Sequence, residues 1–223
     1  MNSDTIRCLK YLILIIVFMI LYYYFFIYRQ KKKIKLQPVK PAAVCLTISL
    51  GISLQIGFSR ILDIILEITD KTENYSDILS PMMSMTPMMI LYLCFLAPLA
   101  EEFMFRGLFF GFLKRQLPVI FADMIQAAFF GVYHGNIYQG IYSFIIGMIF
   151  GMMNIEYDSL LPSIAAHMTV NITGLFLMEP LIRILDPVLY NILACICLLY
   201  SAFISIRVFR SFLCQGSICR YQP

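Results

Sequence analysis

Seven apolar runs, near residues 11–28, 42–59, 85–113, 118–134, 140–155, 160–178 and 188–206, fill most of this chain and decide what it can become. About 20 apolar residues in helical form cross a hydrocarbon core of roughly 30 Å. Within lipid, every backbone N–H and C=O must find its partner inside the protein, which leaves helices or a closed barrel. Runs of this length give helices. The expected fold class is all-α, a multi-spanning transmembrane helical bundle of about seven spans.

Charge content points the same way. Of 223 residues, 61% are hydrophobic and only 13% charged, where an ordinary soluble domain carries about 25% charge. The mean hydropathy is +0.82. Such a chain cannot cover a water-facing sphere, so a soluble enzyme and a disordered regulator are excluded. A nucleic-acid reader is excluded too, because the 17 basic residues form no surface dense enough to track phosphates. The first run, Tyr11 to Tyr28, is too long for a signal peptide and lacks a small-residue cleavage site, so it stays as a span.

The second span continues as an amphipathic extension to Ile68, with Arg60, Asp63 and Glu67 three to four residues apart. The third is too long for one perpendicular crossing and reads as a single tilted helix kinked at Pro98. The fourth and fifth are short and meet at a turn from His134 to Gly140. Gly147-x-x-x-Gly151 suits a close helix contact, and Gly131 and Gly135 repeat the spacing. Small residues are also simply common in membrane helices, so both readings stand. The seven cysteines, Cys8, Cys45, Cys94, Cys195, Cys197, Cys214 and Cys219, form neither a disulfide framework nor a zinc pattern. Cys214 and Cys219 read as free thiols, or as palmitoylation sites beside the membrane.

Lysine and arginine set the orientation. Eleven of them (Arg29, Lys31, Lys32, Lys33, Lys35, Lys40, Lys114, Arg115, Arg207, Arg210 and Arg220) fall on one side. Five (Arg7, Lys10, Arg60, Lys71 and Arg183) fall on the other, with Arg106 set aside. The positive-inside rule then places the first loop and C-terminus in the cytoplasm and the N-terminus and the loop 70–77 outside.

Charge inside a span needs a reason. Glu101 and Glu102 lie in an unbroken apolar stretch, and Arg106 follows Glu102 by one helical turn, so those two can neutralise each other. Glu101 is left without a partner on its own helix. Both histidines of the chain, His134 and His167, also lie in apolar runs, and Asn171 follows His167 by one turn. At 1.5 Å per residue, Glu101, His134, His167 and Asn171 stand roughly 20, 24, 12 and 18 Å above the cytoplasmic face. A shared polar pocket is feasible at those levels, and convergence spares each group the cost of isolated burial.

A carboxylate and an imidazole sharing a water can activate it, while a second imidazole and an amide can stabilise an oxyanion. That set suits amide hydrolysis. Alternatively Glu101, His134 and His167 hold zinc with an open position for water. The helix carrying two histidines four residues apart is absent, so spacing favours the metal-free set.

Glu101-Glu102-x-x-x-Arg106, Phe130-x-x-x-His134 and His167-x-x-x-Asn171, in this order over residues 85–178, resemble the CPBP family, the CAAX proteases and bacteriocin-processing enzymes. The resemblance implies a multi-helix intramembrane endopeptidase opening to the cytoplasmic side and acting on membrane-associated or lipidated peptides. It implies Glu101 and His134 as activators of water, His167 and Asn171 as oxyanion stabilisers, and Glu102 and Arg106 as supports. It leaves zinc or no cofactor open. It divides the chain into N-terminal helices over 1–80, a catalytic core over 81–180 and a C-terminal helix and tail over 181–223. Without a soluble domain the chain is most similar to the bacterial members, which suggests a cell-membrane location and a role in bacteriocin maturation or self-immunity. The partners expected are the lipid bilayer and a peptide substrate within it, with no nucleic acid. The competing readings are a non-catalytic immunity or peptide-binding protein using the same pocket, and a proton-coupled transporter. The transporter lacks the paired interrupted helices that inverted repeats require.

Overall fold

Seven helices run through the residues described by the computed structural model, which are 3–28, 36–69 and 86–218. Helix α1 covers Ser3–Tyr22 and continues through a π-helical segment, Tyr23–Tyr28. Helices α2 (Pro41–Thr69) and α3 (Pro87–Leu113) are single long spans. Then come α4 (Val119–Tyr133), α5 (Ile137–Glu156), α6 (Leu161–Ile184) and α7 (Pro187–Ile218). Among the described residues there is no strand. Six of the helices are long and apolar enough to cross a membrane; α4, with 15 residues, is shorter. At 1.5 Å per residue it reaches only about 22 Å.

Local chemistry moves two boundaries from their expected places. Helix α5 begins at Ile137 rather than 140, because the Asn136 side chain accepts from the Gln139 N–H at 2.8 Å and donates to the Gln139 side chain at 2.7 Å. That cap satisfies one of the backbone N–H groups a helix start leaves orphaned, and the side-chain bond holds the cap in place. Gly135, at φ +73°, makes the turn that lets α5 fold back along α4. Helix α6 runs on to Ile184 through a π-helical segment at Thr173–Leu177. In α3 the irregularity is spread over two π-helical segments, Tyr92–Leu96 and Phe103–Phe109, which flank the short α-helical stretch carrying Pro98. Wider pairing, seen where the Ala97 N–H reaches the Tyr92 carbonyl, absorbs the donor that Pro98 lacks.

Four helices share the main core: Leu50 and Leu54 of α2, Phe150 and Met153 of α5, Ala166 and Val170 of α6, and Ile204 and Val208 of α7. A Cβ on Gly51 would stand 2.7 Å from the Ala166 carbonyl oxygen, so α2 and α6 touch nearly backbone to backbone. Helices α4 and α5 close just as tightly. A Cβ on Gly131 would meet the Gly140 oxygen at 2.6 Å, and one on Gly147 would meet the Ala127 Cβ at 3.2 Å. The small-residue spacing of α5 is thus a real seam. The amphipathic end of α2 is also present, held by Arg60 Nη1 to Glu67 at 3.3 Å and Arg60 Nε to Asn191 of α7 at 2.6 Å. Outward-facing Leu199 and Phe203 on α7 are 72% and 66% exposed, a surface suited to lipid rather than water.

The described cysteines, Cys8, Cys45, Cys94, Cys195 and Cys197, are free. The basic cluster from Arg29 to Lys35, the loop 70–77, Arg220, Cys219 and the Cys214 side chain lie outside the described residues.

Candidate active site

Helix α3 brings Glu101, Glu102 and Arg106 into the interior, at 8%, 0% and 1% exposure. A charge at that depth is tolerable only with bonded partners. Glu102 has two on one oxygen: Arg106 Nη1 donates to its Oε1 at 3.0 Å, and His167 Nδ1 of α6 lies 2.9 Å from the same atom. The second arginine nitrogen, Nη2, donates to the Gly147 carbonyl of α5 at 3.2 Å. Aromatic faces enclose the guanidinium, with Phe130 of α4 at 4.2 Å and Phe150 of α5 at 5.5 Å. One arginine therefore ties together three helices, and Glu102 adds α6 through His167.

The carboxylate of Glu102 can only accept, so its bond to His167 Nδ1 fixes a proton there and turns Nε2 the other way. Nε2 faces Glu101, 3.7 Å from its Oε2. That separation exceeds a direct hydrogen bond. In the neutral ring two lone pairs face each other across it, and a shared proton or a bridging water resolves the conflict. Phe130 and Phe150 pack on the same imidazole, with ring centroids 5.7 and 5.6 Å away.

His134 sits where α4 ends. Its backbone N–H turns to the Gly131 carbonyl at 3.2 Å, which leaves the Phe130 carbonyl without its usual helical partner. The His134 ring supplies one through Nδ1 at 2.8 Å, so Nε2 is the nitrogen left for chemistry. The four-residue spacing of Phe130 and His134 has this physical basis. His134 meets the buried cluster through Phe130, whose ring lies 4.8 Å from its own. Asn171 behaves differently. Its Nδ2 donates to the Leu93 carbonyl in the first π-helical segment of α3 at 2.8 Å, tying α6 to α3.

Glu101, Glu102, Arg106 and His167 thus form one cluster, His134 joins it across an aromatic ring, and Asn171 braces the two helices that carry it. Among the described residues, no three His, Cys, Asp or Glu side chains gather closely enough to hold a metal ion. In this arrangement Glu101, His134 and His167 do not form a ligand set.

Two buried polar residues escaped sequence reasoning. Asp123 and Gln126 of α4 are 1% and 0% exposed. Gln126 Nε2 donates to Asp123 Oδ1 at 2.8 Å and to the Gly147 carbonyl at 3.0 Å, the oxygen that Arg106 also uses. Asp123-x-x-Gln126 at helical spacing in an apolar run was the available signal.

Residues 83–173 match the protein family described as Rce1-like, type II CAAX prenyl endopeptidase. No curated protein and no solved structure matches the chain. The matched residues contain all of the cluster just described, together with His134 and Asn171. Over this segment the chain is similar to the type II CAAX prenyl endopeptidases, which are membrane-embedded proteases.

Proposed function

We propose that this protein hydrolyses peptide bonds of membrane-associated or lipidated peptides by a glutamate-type mechanism centred on Glu101. The observation that carries the reading is the asymmetry of the carboxylate pair. Glu102 is committed to Arg106 and His167, whereas Glu101 has no hydrogen-bonding partner among the described residues and faces His167 Nε2 across 3.7 Å. Two carboxylates in different surroundings divide into a support and a base.

Glu101 takes a proton from the attacking water as the oxygen–carbon bond forms at the scissile carbonyl. His134, through Nε2, is the second acceptor for that water. The tetrahedral oxyanion is met by the His167 ring, which Glu102 holds in place through Nδ1. Asn171 keeps α6 in register with α3 and lends its amide to the same oxyanion pocket. On collapse the C–N bond breaks and Glu101 returns its proton to the leaving amine. Glu102 and Arg106 cancel each other's charge and orient His167. In a bacterial membrane, maturation of a bacteriocin or self-protection against one is the use this chemistry serves.

The test is purified protein in lipid nanodiscs with a farnesylated CaaX-type peptide, with products read by mass spectrometry. Wild type is expected to release the C-terminal fragment. Glu101→Ala and His134→Ala are expected to insert and fold but to lose cleavage. Normal cleavage by either variant contradicts the mechanism.

A further inference from the structure

Three phenols from three helices meet at the end of the bundle where α1 begins and α4 ends. The hydroxyls of Tyr11 (α1) and Tyr133 (α4) are 2.8 Å apart, and the rings of Tyr11 and Tyr92 (α3) stand edge to face at 4.7 Å. Tyr133 directly precedes His134, with ring centroids 6.0 Å apart, and packs on Phe105 at 5.6 Å. Glu101 acts electrostatically on all three phenols. Tyr133 is 44% exposed, so the group lies at the surface of the bundle rather than in the core. Tyr11 comes from outside residues 83–173, the segment that matches the family.

We propose that the paired Tyr11 and Tyr133 hydroxyls are a backbone clamp that positions the substrate peptide next to Glu101 and His134. The proposal rests on the peptidase reading for its substrate class. A peptide bond open to attack must leave its own helix, and in a membrane each freed C=O and N–H then needs a new partner. A phenol both donates and accepts. The Tyr11 hydroxyl is also bonded to that of Tyr92, so in the Tyr11–Tyr133 pair one hydrogen is used between the two hydroxyls, and another hydrogen and the lone pairs not so engaged are left for a peptide C=O and N–H. That pair of contacts ignores side-chain identity and selects an extended backbone. Phe105 and Tyr92 supply the apolar walls, and α1 is held against α3 by Thr86 donating to Asp4 at 2.7 Å and Cys8 donating to the Met88 carbonyl at 3.1 Å. Residue 11 is thereby fixed beside Tyr133.

The test compares wild type with Tyr11→Phe, Tyr133→Phe and the double variant in nanodiscs. The probe is the same farnesylated CaaX-type peptide with a fluorescent label, its Kd read by anisotropy. Each Phe variant keeps its ring and packing, and is expected to raise Kd and KM together by about five- to tenfold, the worth of one hydrogen bond. Tyr23→Phe, a phenol exposed on α1 away from the cluster, is expected to leave Kd unchanged. If Tyr11→Phe and Tyr133→Phe lower the melting temperature while Kd stays at the wild-type value, the pair is only a latch between helices and the proposal is overturned. Binding is read without turnover, so wild type that binds the probe and fails to cleave it contradicts the peptidase reading alone.

Discussion

The chain contains two glutamate–arginine pairs at the same four-residue spacing. Glu102 and Arg106 lie inside α3 with side chains at 0% exposure, and Glu179 and Arg183 lie near the end of α6 at 65% and 76%. Spacing makes both contacts possible; surroundings decide what each is worth. The outer pair is screened by solvent and headgroups and holds nothing else. The inner pair also carries His167 and the Gly147 carbonyl and lies between two aromatic rings, so breaking it strands a charge where no water can reach it. A charge motif in a membrane protein is informative in proportion to its depth.

Single substitutions can break this contrast, taken here from the largest expected effect on thermal unfolding to the smallest. Arg106→Ala leaves the Glu102 carboxylate buried without its counter-charge and is expected to cost about 3–5 kcal/mol, with cleavage abolished. Gly151→Ala places a Cβ 1.8 Å from Asp123 Oδ1 and 2.9 Å from Gln126 Nε2. Repacking that seam is expected to cost about 1–3 kcal/mol and to lower activity through the Gly147 carbonyl that Gln126 and Arg106 share. Asn171→Ala removes the bond to the Leu93 carbonyl and is expected to cost about 1 kcal/mol by differential scanning fluorimetry. Glu179→Ala is expected to change stability by less than about 0.5 kcal/mol and to leave cleavage at the wild-type rate. A loss from Glu179→Ala comparable to that from Arg106→Ala removes the contrast altogether.

The spans and the polar residues within them were legible because both signals are local. Length and hydropathy mark a crossing, and Glu101, Glu102, His134 and His167 stand out against apolar neighbours. The start of α5 was written in Asn136-x-x-Gln139, a capping pattern easily taken for a turn in a stretch that also holds Gly135 and Gly140. Asp123 lies four residues into α4, where a carboxylate reads as an interface residue, and only its packing against Gly151 reveals its burial. The partner of Asn171 depends on a π-helical segment for which apolar periodicity holds no signal. The contact of Tyr11 with Tyr133 joins residues 122 positions apart, and no local pattern encodes it. Element type follows from nearby chemistry, whereas the way helices meet depends on the whole bundle.

The central claim is that Glu101 is the base and Glu102 its support. The most direct measurement is the cleavage rate of purified Glu101→Gln in nanodiscs, beside its melting temperature. The account expects the rate to fall by at least about 10²-fold, the scale of a lost general base, with the melting temperature held within a few degrees of wild type. A variant that folds normally and cleaves at the wild-type rate contradicts it.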